Sequence, residues 1–170
     1  HSPEDDGTII GPSIRLETPS VRAVGCLPRQ IQFSWSLSSA MSLTECVTNA
    51  MSALARSRIR VSSVRAQPGY VRLLISSRMA ARARRILSAQ PSLPTPEIGA
   101  SVSILCFVGE GIGEDENICE MIATHASTSG IDLQFSDQEP RDHAIHAIVP
   151  ANQTERALQT LCSALDLLSQ

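Results

Sequence analysis

The hydrophobic and polar positions of the chain repeat one order of elements, which is strand, helix, strand, strand, helix. The first copy covers Ile31–Leu87 and the second covers Val102–Leu165. Apolar and polar residues alternate in Ile31–Leu37, which predicts a strand with one buried face. In Val102–Val108 apolar residues occupy both phases, which predicts a central strand that is buried on both faces.

Each copy also carries signals for the ends of its first helix. Ser42 followed by Glu45 forms a capping box, which predicts a helix start there. In the second copy the run Glu114-Asp115-Glu116 places three carboxylates at a helix start, where the helix dipole favours them. Gly130 stands where that helix is expected to end.

The remaining pattern is typical of a ferredoxin-like α+β fold, with antiparallel sheets and helices on one face. In the first copy the turn Gln67-Pro68-Gly69 joins strands predicted at Ile59–Val64 and Tyr70–Ile75 into a hairpin. A complete ferredoxin-like unit needs one more strand after its second helix. The segments that precede the copies, Val21–Cys26 and Glu97–Ala100, are the candidates for those strands.

These elements predict two units joined by a short connection. Three prolines within 90–96 mark the boundary between them. The chain opens on His1-Ser2, which indicates a tag remnant or an excised fragment, and residues 3–20 are expected to be extended. The predicted division is 1–20 for the remnant and tail, 21–90 for the first unit, 91–100 for a Pro-rich linker and 101–170 for the second unit.

The composition excludes several classes of protein. Only 3% of the residues are aromatic, so an aliphatic core is expected. No apolar run approaches the roughly 20 residues of a membrane span. The five cysteines form no C-x-x-C pair, which argues against a disulfide framework or a zinc site and favours a reducing cytoplasmic setting.

The charge is distributed unevenly, and all 14 basic residues are Arg. Residues 1–90 hold 12 Arg against 5 acidic residues, whereas residues 91–170 hold 2 Arg against 12. The opposite charges of the two halves favour packing of one half on the other or on a symmetry mate. Nucleic-acid binding is disfavoured, because the basic half lacks aromatic residues that could stack on bases. Without Lys the chain has neither a phosphate-loop lysine nor a Schiff-base lysine.

Candidate chemistry concentrates in the turn Gly109-Glu110-Gly111-Ile112-Gly113. Its backbone amides could hold the carboxylate of an amino acid at the helix start, or its glycines could serve only a tight turn. The acidic run that follows is better explained as a solvated helix start than as a metal site. Metal binding by His143 and His146 is disfavoured because residues three apart on a strand face opposite sides. No catalytic residue is predicted.

Several segments resemble aspartate kinases, whose regulatory regions carry tandem ACT domains, which are amino-acid-binding modules. Phe107-Val108-Gly109-Glu110-Gly111-Ile112 resembles the V-G-x-G-M turn of the second ACT domain. Leu54-Ala55-Arg56 followed by Ile59-Arg60-Val61 resembles the end of the first ACT helix and the next strand. Gly7-Thr8-Ile9-Ile10-Gly11-Pro12 resembles the G-T-L-I segment that closes the catalytic domain.

The resemblance implies a non-catalytic C-terminal regulatory region of an aspartate kinase, either as a single enzyme or as part of a bifunctional one. It implies feedback inhibition by an end-product amino acid, lysine or threonine, dimerisation through the ACT units and a catalytic kinase domain as partner. ATP and Mg belong to that missing domain, so no cofactor is expected here, and neither nucleic acid nor a membrane is an expected partner. The effector-binding residues that the resemblance implies are Ser39, Ala40, Met41, Ser42, Val61, Ser62, Gly109, Glu110, Gly111, Ile112 and Gly113.

The first unit departs from the pattern of lysine-inhibited family members. Ser62 stands where those members carry an Asp, and Glu45 stands where the family has a Gly. One alternative is therefore an ACT pair that has lost effector binding and acts only in dimerisation. Another is a ferredoxin-like RNA-binding module, which the scarcity of aromatic residues disfavours.

Overall fold

A computed structural model describes residues 20–37, 41–113, 115–136 and 143–166. These residues form one six-stranded antiparallel sheet with the strand order β2-β3-β1-β4-β6-β5. The strands are β1 (Ser20–Ser36), β2 (Ser63–Gln67), β3 (Tyr70–Ser76), β4 (Glu97–Glu110), β5 (Gln134–Phe135) and β6 (Ala144–Pro150). The helices are α1 (Leu43–Arg56), α2 (Ser77–Ser88), α3 (Glu116–Thr128) and α4 (Thr154–Asp166), which follows a 3-10 turn at Ala151–Gln153.

The two long strands, β1 and β4, run through both halves of the sheet. The second half of β1, Gln30–Ser36, pairs with β3, and its first half, Ser20–Leu27, pairs with the end of β4. In β4 the segment Val102–Val108 pairs with β6, whereas the segment before it pairs with the second half of β1. The ferredoxin-like α+β architecture with helices packed on the sheet is thereby confirmed.

Each unit takes its fourth strand from the segment that precedes the other unit. Glu97–Val102 follows α2 and completes the first unit. Ser20–Leu27 precedes the first unit but completes the second. The second unit is therefore discontinuous in sequence, with the first unit inserted into it. Residues 97–100 are strand, so the predicted linker ends at Pro96, because pairing with β1 satisfies the backbone groups of both segments.

Two separate cores lie between the sheet and its helices. The first core contains Trp35, whose indole nitrogen donates to the Pro94 carbonyl at 2.8 Å and ties the proline-rich connection to the first unit. Its largest buried members are Phe33, Trp35, Leu54, Leu73, Ile75 and Leu87. The second core is built around Leu105, Phe107, Ile112, Ile122, Ile145 and Leu161.

The first helices of the two units end in the same way. Gly130 has a φ of 64° and the amide of Ile131 donates to the Ala126 carbonyl at 2.8 Å, which confirms the predicted cap. At the equivalent position Arg58 has a φ of 55°, and the amide of Ile59 donates to the Leu54 carbonyl at 2.9 Å.

Some predicted boundaries are wrong. The strand predicted at Ile59–Val64 begins only at Ser63, because the α1 cap and its exit occupy the preceding residues. The alternating residues Ile131, Leu133 and Phe135 predict a strand, but the structure limits it to β5. Asn152 followed by Glu155 resembles a capping box, but Asn152 lies in the 3-10 turn before α4. The sequence Glu139-Pro140-Arg141-Asp142 predicts a hairpin turn, which lies outside the described residues.

Within the described ranges no helix is long and apolar enough to cross a membrane. The five cysteines are unpaired thiols. No group of three or more His, Cys, Asp or Glu residues could hold a metal ion in the part of the chain that the structure describes.

Candidate functional site

The loop before α1 carries the first group of predicted effector residues. Ser39 and Ala40 lie outside the described residues, and Met41 packs against the first core. The amide of Leu37, just before the loop, donates to the Gly69 carbonyl at 2.8 Å. Leu37, at the start of this connection, therefore lies beside the β2–β3 hairpin at one end of the first unit.

The predicted capping box at the start of α1 is confirmed. The Glu45 amide donates to Ser42 Oγ at 3.1 Å, and the Ser42 amide donates to Glu45 Oε2 at 3.1 Å. These bonds from the backbone and side chain of Ser42 lower the pKa of the Glu45 carboxyl. A negative carboxylate thus occupies the helix end that would otherwise attract the carboxylate of an effector.

Val61 and Ser62 are not brought together with this loop. The Ser62 amide donates to the Leu74 carbonyl at 2.8 Å, and Leu74 pairs with Gln32 on β1. Leu37 lies five residues further along the chain, just past the end of β1, which is roughly 17 Å at the rise of a strand. One small effector within a single chain cannot contact both groups.

The turn after β4 holds the remaining predicted residues close together. The Gly109 amide donates to the His143 carbonyl at 3.0 Å, which joins the end of β4 to the start of β6. Gly111 has a φ of 70°, a conformation that glycine adopts without strain. The side chain of Ile112 is fully buried in the second core, so it anchors the turn that Gly113 continues towards α3.

Glu110 adds an unusual feature to this turn. Its Oε1 atom is buried and has no hydrogen-bond partner among the described residues. A buried acceptor without a partner is uncommon, because its desolvation is not compensated. A ligand group that satisfies this oxygen must be a hydrogen-bond donor, either N–H or O–H.

The start of α3 is capped by an acidic side chain. Asp115 Oδ1 accepts from the Asn117 amide at 2.9 Å and from Asn117 Nδ2 at 2.8 Å. Together with Glu110 and Glu116, this cap makes the turn acidic. The surroundings of the turn therefore favour a cationic ligand group such as an ammonium.

The two loops form two distinct candidate sites. Glu110 pairs with Ser20 at one end of β1, and the loop at Met41 and Ser42 follows the other end of that strand. A strand of 17 residues spans roughly 50 Å. The predicted effector residues therefore divide into one group at each end of the shared sheet, with Val61 and Ser62 between them.

The paired units share their long strands, and the second unit carries a glycine turn before its helix. Together these features define a tandem ACT-type fold. No protein-family model and no curated protein sequence matches the chain. Solved structures do match it, among them aspartate kinases and their regulatory regions. The chain has the fold of an aspartate kinase regulatory region.

Three similar structures illustrate the extent of the likeness. The ligand-free regulatory subunit of aspartate kinase from Thermus thermophilus is 17% identical, with a TM-score of 0.71 over 85% of this chain and 97% of that one. Aspartate kinase from Clostridium acetobutylicum is 16% identical, with a TM-score of 0.78 over 92% of this chain. Aspartokinase III from E. coli, in complex with lysine and aspartate, is 15% identical, with a TM-score of 0.69 over 88% of this chain.

The extent of the match differs between regulatory subunits and whole kinases. This chain covers 36% of the Clostridium enzyme and 34% of the E. coli enzyme. It covers nearly the whole of the Thermus regulatory subunit. The chain therefore corresponds in fold to the regulatory part of these proteins.

Proposed function

We propose that this chain is the amino-acid-sensing regulatory region of an aspartate kinase. The observation that carries the proposal is the fold, two interlocked ACT-type units that match kinase regulatory regions over most of the chain. The chain itself supplies no catalytic group in this proposal. It would act in the cytoplasm on a kinase domain, which would hold the ATP and Mg, and it would dimerise through its ACT units.

The effector in this proposal is an end-product amino acid, with lysine and threonine as the first candidates. The turn at 109–113 is the better supported site, because the buried Oε1 of Glu110 would accept a hydrogen bond from the effector's ammonium group. The loop at Met41 and Ser42 is the second site. Inhibition would follow if the effector binds more tightly to the state that holds the kinase inactive.

The experiment is thermal melting of the chain against each amino acid at millimolar concentration. An effector at 100 times its dissociation constant should add about 2.7 kcal/mol, which is a shift of several degrees. Glu110→Gln keeps the size of the side chain but removes its charge, so this variant should lose the shift. Glu97→Gln, at an exposed position of the same strand, is the matched control and should keep it.

A second candidate function is dimerisation without sensing. It is favoured by the capping box at Ser42 and Glu45, which occupies the helix end of the first unit with the protein's own groups. Under this alternative no amino acid shifts the melting temperature, while sedimentation still shows a dimer. A shift that Glu110→Gln retains would place the effector at another site.

A further inference from the structure

A groove of about 950 Å³ opens beside the middle of β1, where the two units meet. We call it the arginine groove, because Arg29, Arg58, Arg60 and Arg78 line it. None of the described residues that line it is acidic, and no hydrogen bond or ion pair joins these guanidinium groups to another described residue. Four positive charges therefore face one cavity without compensation from the described chain.

A bulge in β1 brings Arg29 to the groove. Leu27 faces Ile104 on β4 and Gln30 faces Val102, so β1 holds one extra residue at this point. Arg29 adopts a left-handed conformation there, with a φ of 57°. Such backbone is unfavourable for any residue other than glycine and often marks a functional position.

Hydrogen bonds hold the floor of the groove in place. Gln30 is 1% exposed, and its Nε2 donates to the Pro28 carbonyl at 2.8 Å. Its Oε1 accepts from Ser62 Oγ at 2.8 Å. Because both ends of the amide are bonded, the bulge and the start of the β2 segment form one rigid support.

The second unit provides an internal comparison. The positions of Arg58 and Arg60 correspond to Gly130 and Asp132, since both pairs follow the same helix cap. The Asp132 amide there donates to Gln153 Oε1 at 2.8 Å, which bridges the two connections of the second unit. The fold therefore does not require arginine at either position. The second unit keeps the glycine that a left-handed helix cap prefers, whereas the first unit has Arg58 there.

The start of α2 reinforces the positive character of the groove. Its cap residue, Ser76, makes no side-chain capping bond, and the first turn contains no acidic residue. Both Ser76 and Arg78 line the groove. The amides of the first turn add to the field of the four guanidinium groups.

We propose that the arginine groove binds a small organic molecule with at least two phosphate groups. Guanidinium groups pair with phosphate oxygens in a bidentate manner, and four arginines match a ligand with several negative charges. Leu27, Val61 and Met79 also line the groove and would contact the organic part. The volume is that of an ordinary small-molecule site. Val61 and Ser62, two of the predicted effector residues, line the groove, but neither the loop before α1 nor the turn at 109–113 does. Its position at the bulge of β1 would let one ligand act on both units.

The test is calorimetric titration of the full chain with pyrophosphate at constant ionic strength. Wild type should bind it at one site. Arg58→Gly, which installs the residue of the second unit and suits the left-handed backbone, should weaken binding by about tenfold or more while the melting temperature is kept. Arg78→Gln should weaken binding to a similar degree. Arg84→Gln, an exposed arginine of α2 outside the groove, should leave the affinity unchanged.

Other outcomes would overturn the proposal. If pyrophosphate does not bind, the groove is not a phosphate site, and if citrate binds in its place the site takes carboxylates. An equal loss of affinity in Arg84→Gln and Arg58→Gly would show unspecific attraction to the basic half. A loss confined to Arg85→Gln would place the anion in the smaller groove between α1 and α2, which Arg85 lines.

Discussion

Each unit takes its fourth strand from the segment before the other unit, and we call this arrangement the exchange of strands. It makes a prediction about Val24, which precedes the first unit in sequence but lies in the second unit. Val24 pairs with Phe107 and packs against the second core. The substitution Val24→Asp should therefore destabilise the second unit and spare the first. Its neighbour Ala23 is exposed and pairs with Val108, so Ala23→Asp is the matched control on the other face of the same strand.

The magnitude follows from the surroundings of Val24. Its side chain is half-buried, so losing its apolar contacts costs about 1 kcal/mol. A carboxylate at the edge of an apolar core adds a further desolvation cost of about 1–3 kcal/mol. The sum, about 2–4 kcal/mol, is a large part of the 5–15 kcal/mol that typically stabilises a domain. Ala23→Asp should change stability by less than about 0.5 kcal/mol.

Hydrogen exchange read by mass spectrometry separates the two units. Amides of β6, in the second unit, should exchange about thirtyfold faster or more in Val24→Asp than in wild type. Amides of β3, in the first unit, should keep most of their protection, because the first core is separate from the second. Of the β3 residues only Leu74 packs with Ile104 and Ile148, in a small third cluster. Unchanged exchange in β6, or a loss confined to β3, would refute the exchange of strands.

Three further predictions concern caps and single bonds. Gly130→Ala should lower the unfolding free energy in urea by about 1 kcal/mol, because alanine is strained at a φ of 64°. Arg58→Gly, at the equivalent position, should leave the unfolding free energy within about 0.5 kcal/mol of wild type. A larger loss in Arg58→Gly would contradict this prediction. Trp35→Phe should lower the unfolding free energy by about 1–2 kcal/mol, because the Pro94 carbonyl loses its donor. Unfolding is followed by circular dichroism. If the variant is as stable as wild type, this hydrogen bond does not contribute to stability. The lowered pKa of Glu45 adds stability above the unfolded pKa near 4.5, which is lost as the pH falls through the folded pKa. Glu45→Gln should therefore flatten the acid limb of a melting-temperature profile, and an unchanged limb would exclude this contribution.

Local signals in the sequence predicted the local structure well. The capping box at Ser42, the hairpin glycine Gly69 and the helix cap at Gly130 each depend on a few neighbouring residues. Gly69 and Gly130 have the positive φ that their turns require. The repeated order of elements likewise predicted the fold class, because hydrophobic period reflects which face of each element is buried.

The arrangement of the two units could not be predicted in this way. The sequence predicts a strand at Val21–Cys26, but not that its partner is β4, far along the chain. The choice of partner strand depends on contacts between residues far apart in the sequence, so it leaves no signal in the local pattern of residues. The same holds for Arg29 and Arg58, since arginine carries no preference for left-handed backbone, and for the burial of Glu110, which depends on how the turn folds over the core.

Our central claim is that the chain senses an amino acid through its ACT-type turns. The most direct measurement is a hydrogen-exchange footprint of the chain, recorded with each amino acid in turn. The claim predicts that one of them, with lysine and threonine tested first, slows exchange in 109–113 and at the start of α3. Unchanged exchange with every amino acid, or protection confined to residues outside both effector loops, would contradict it.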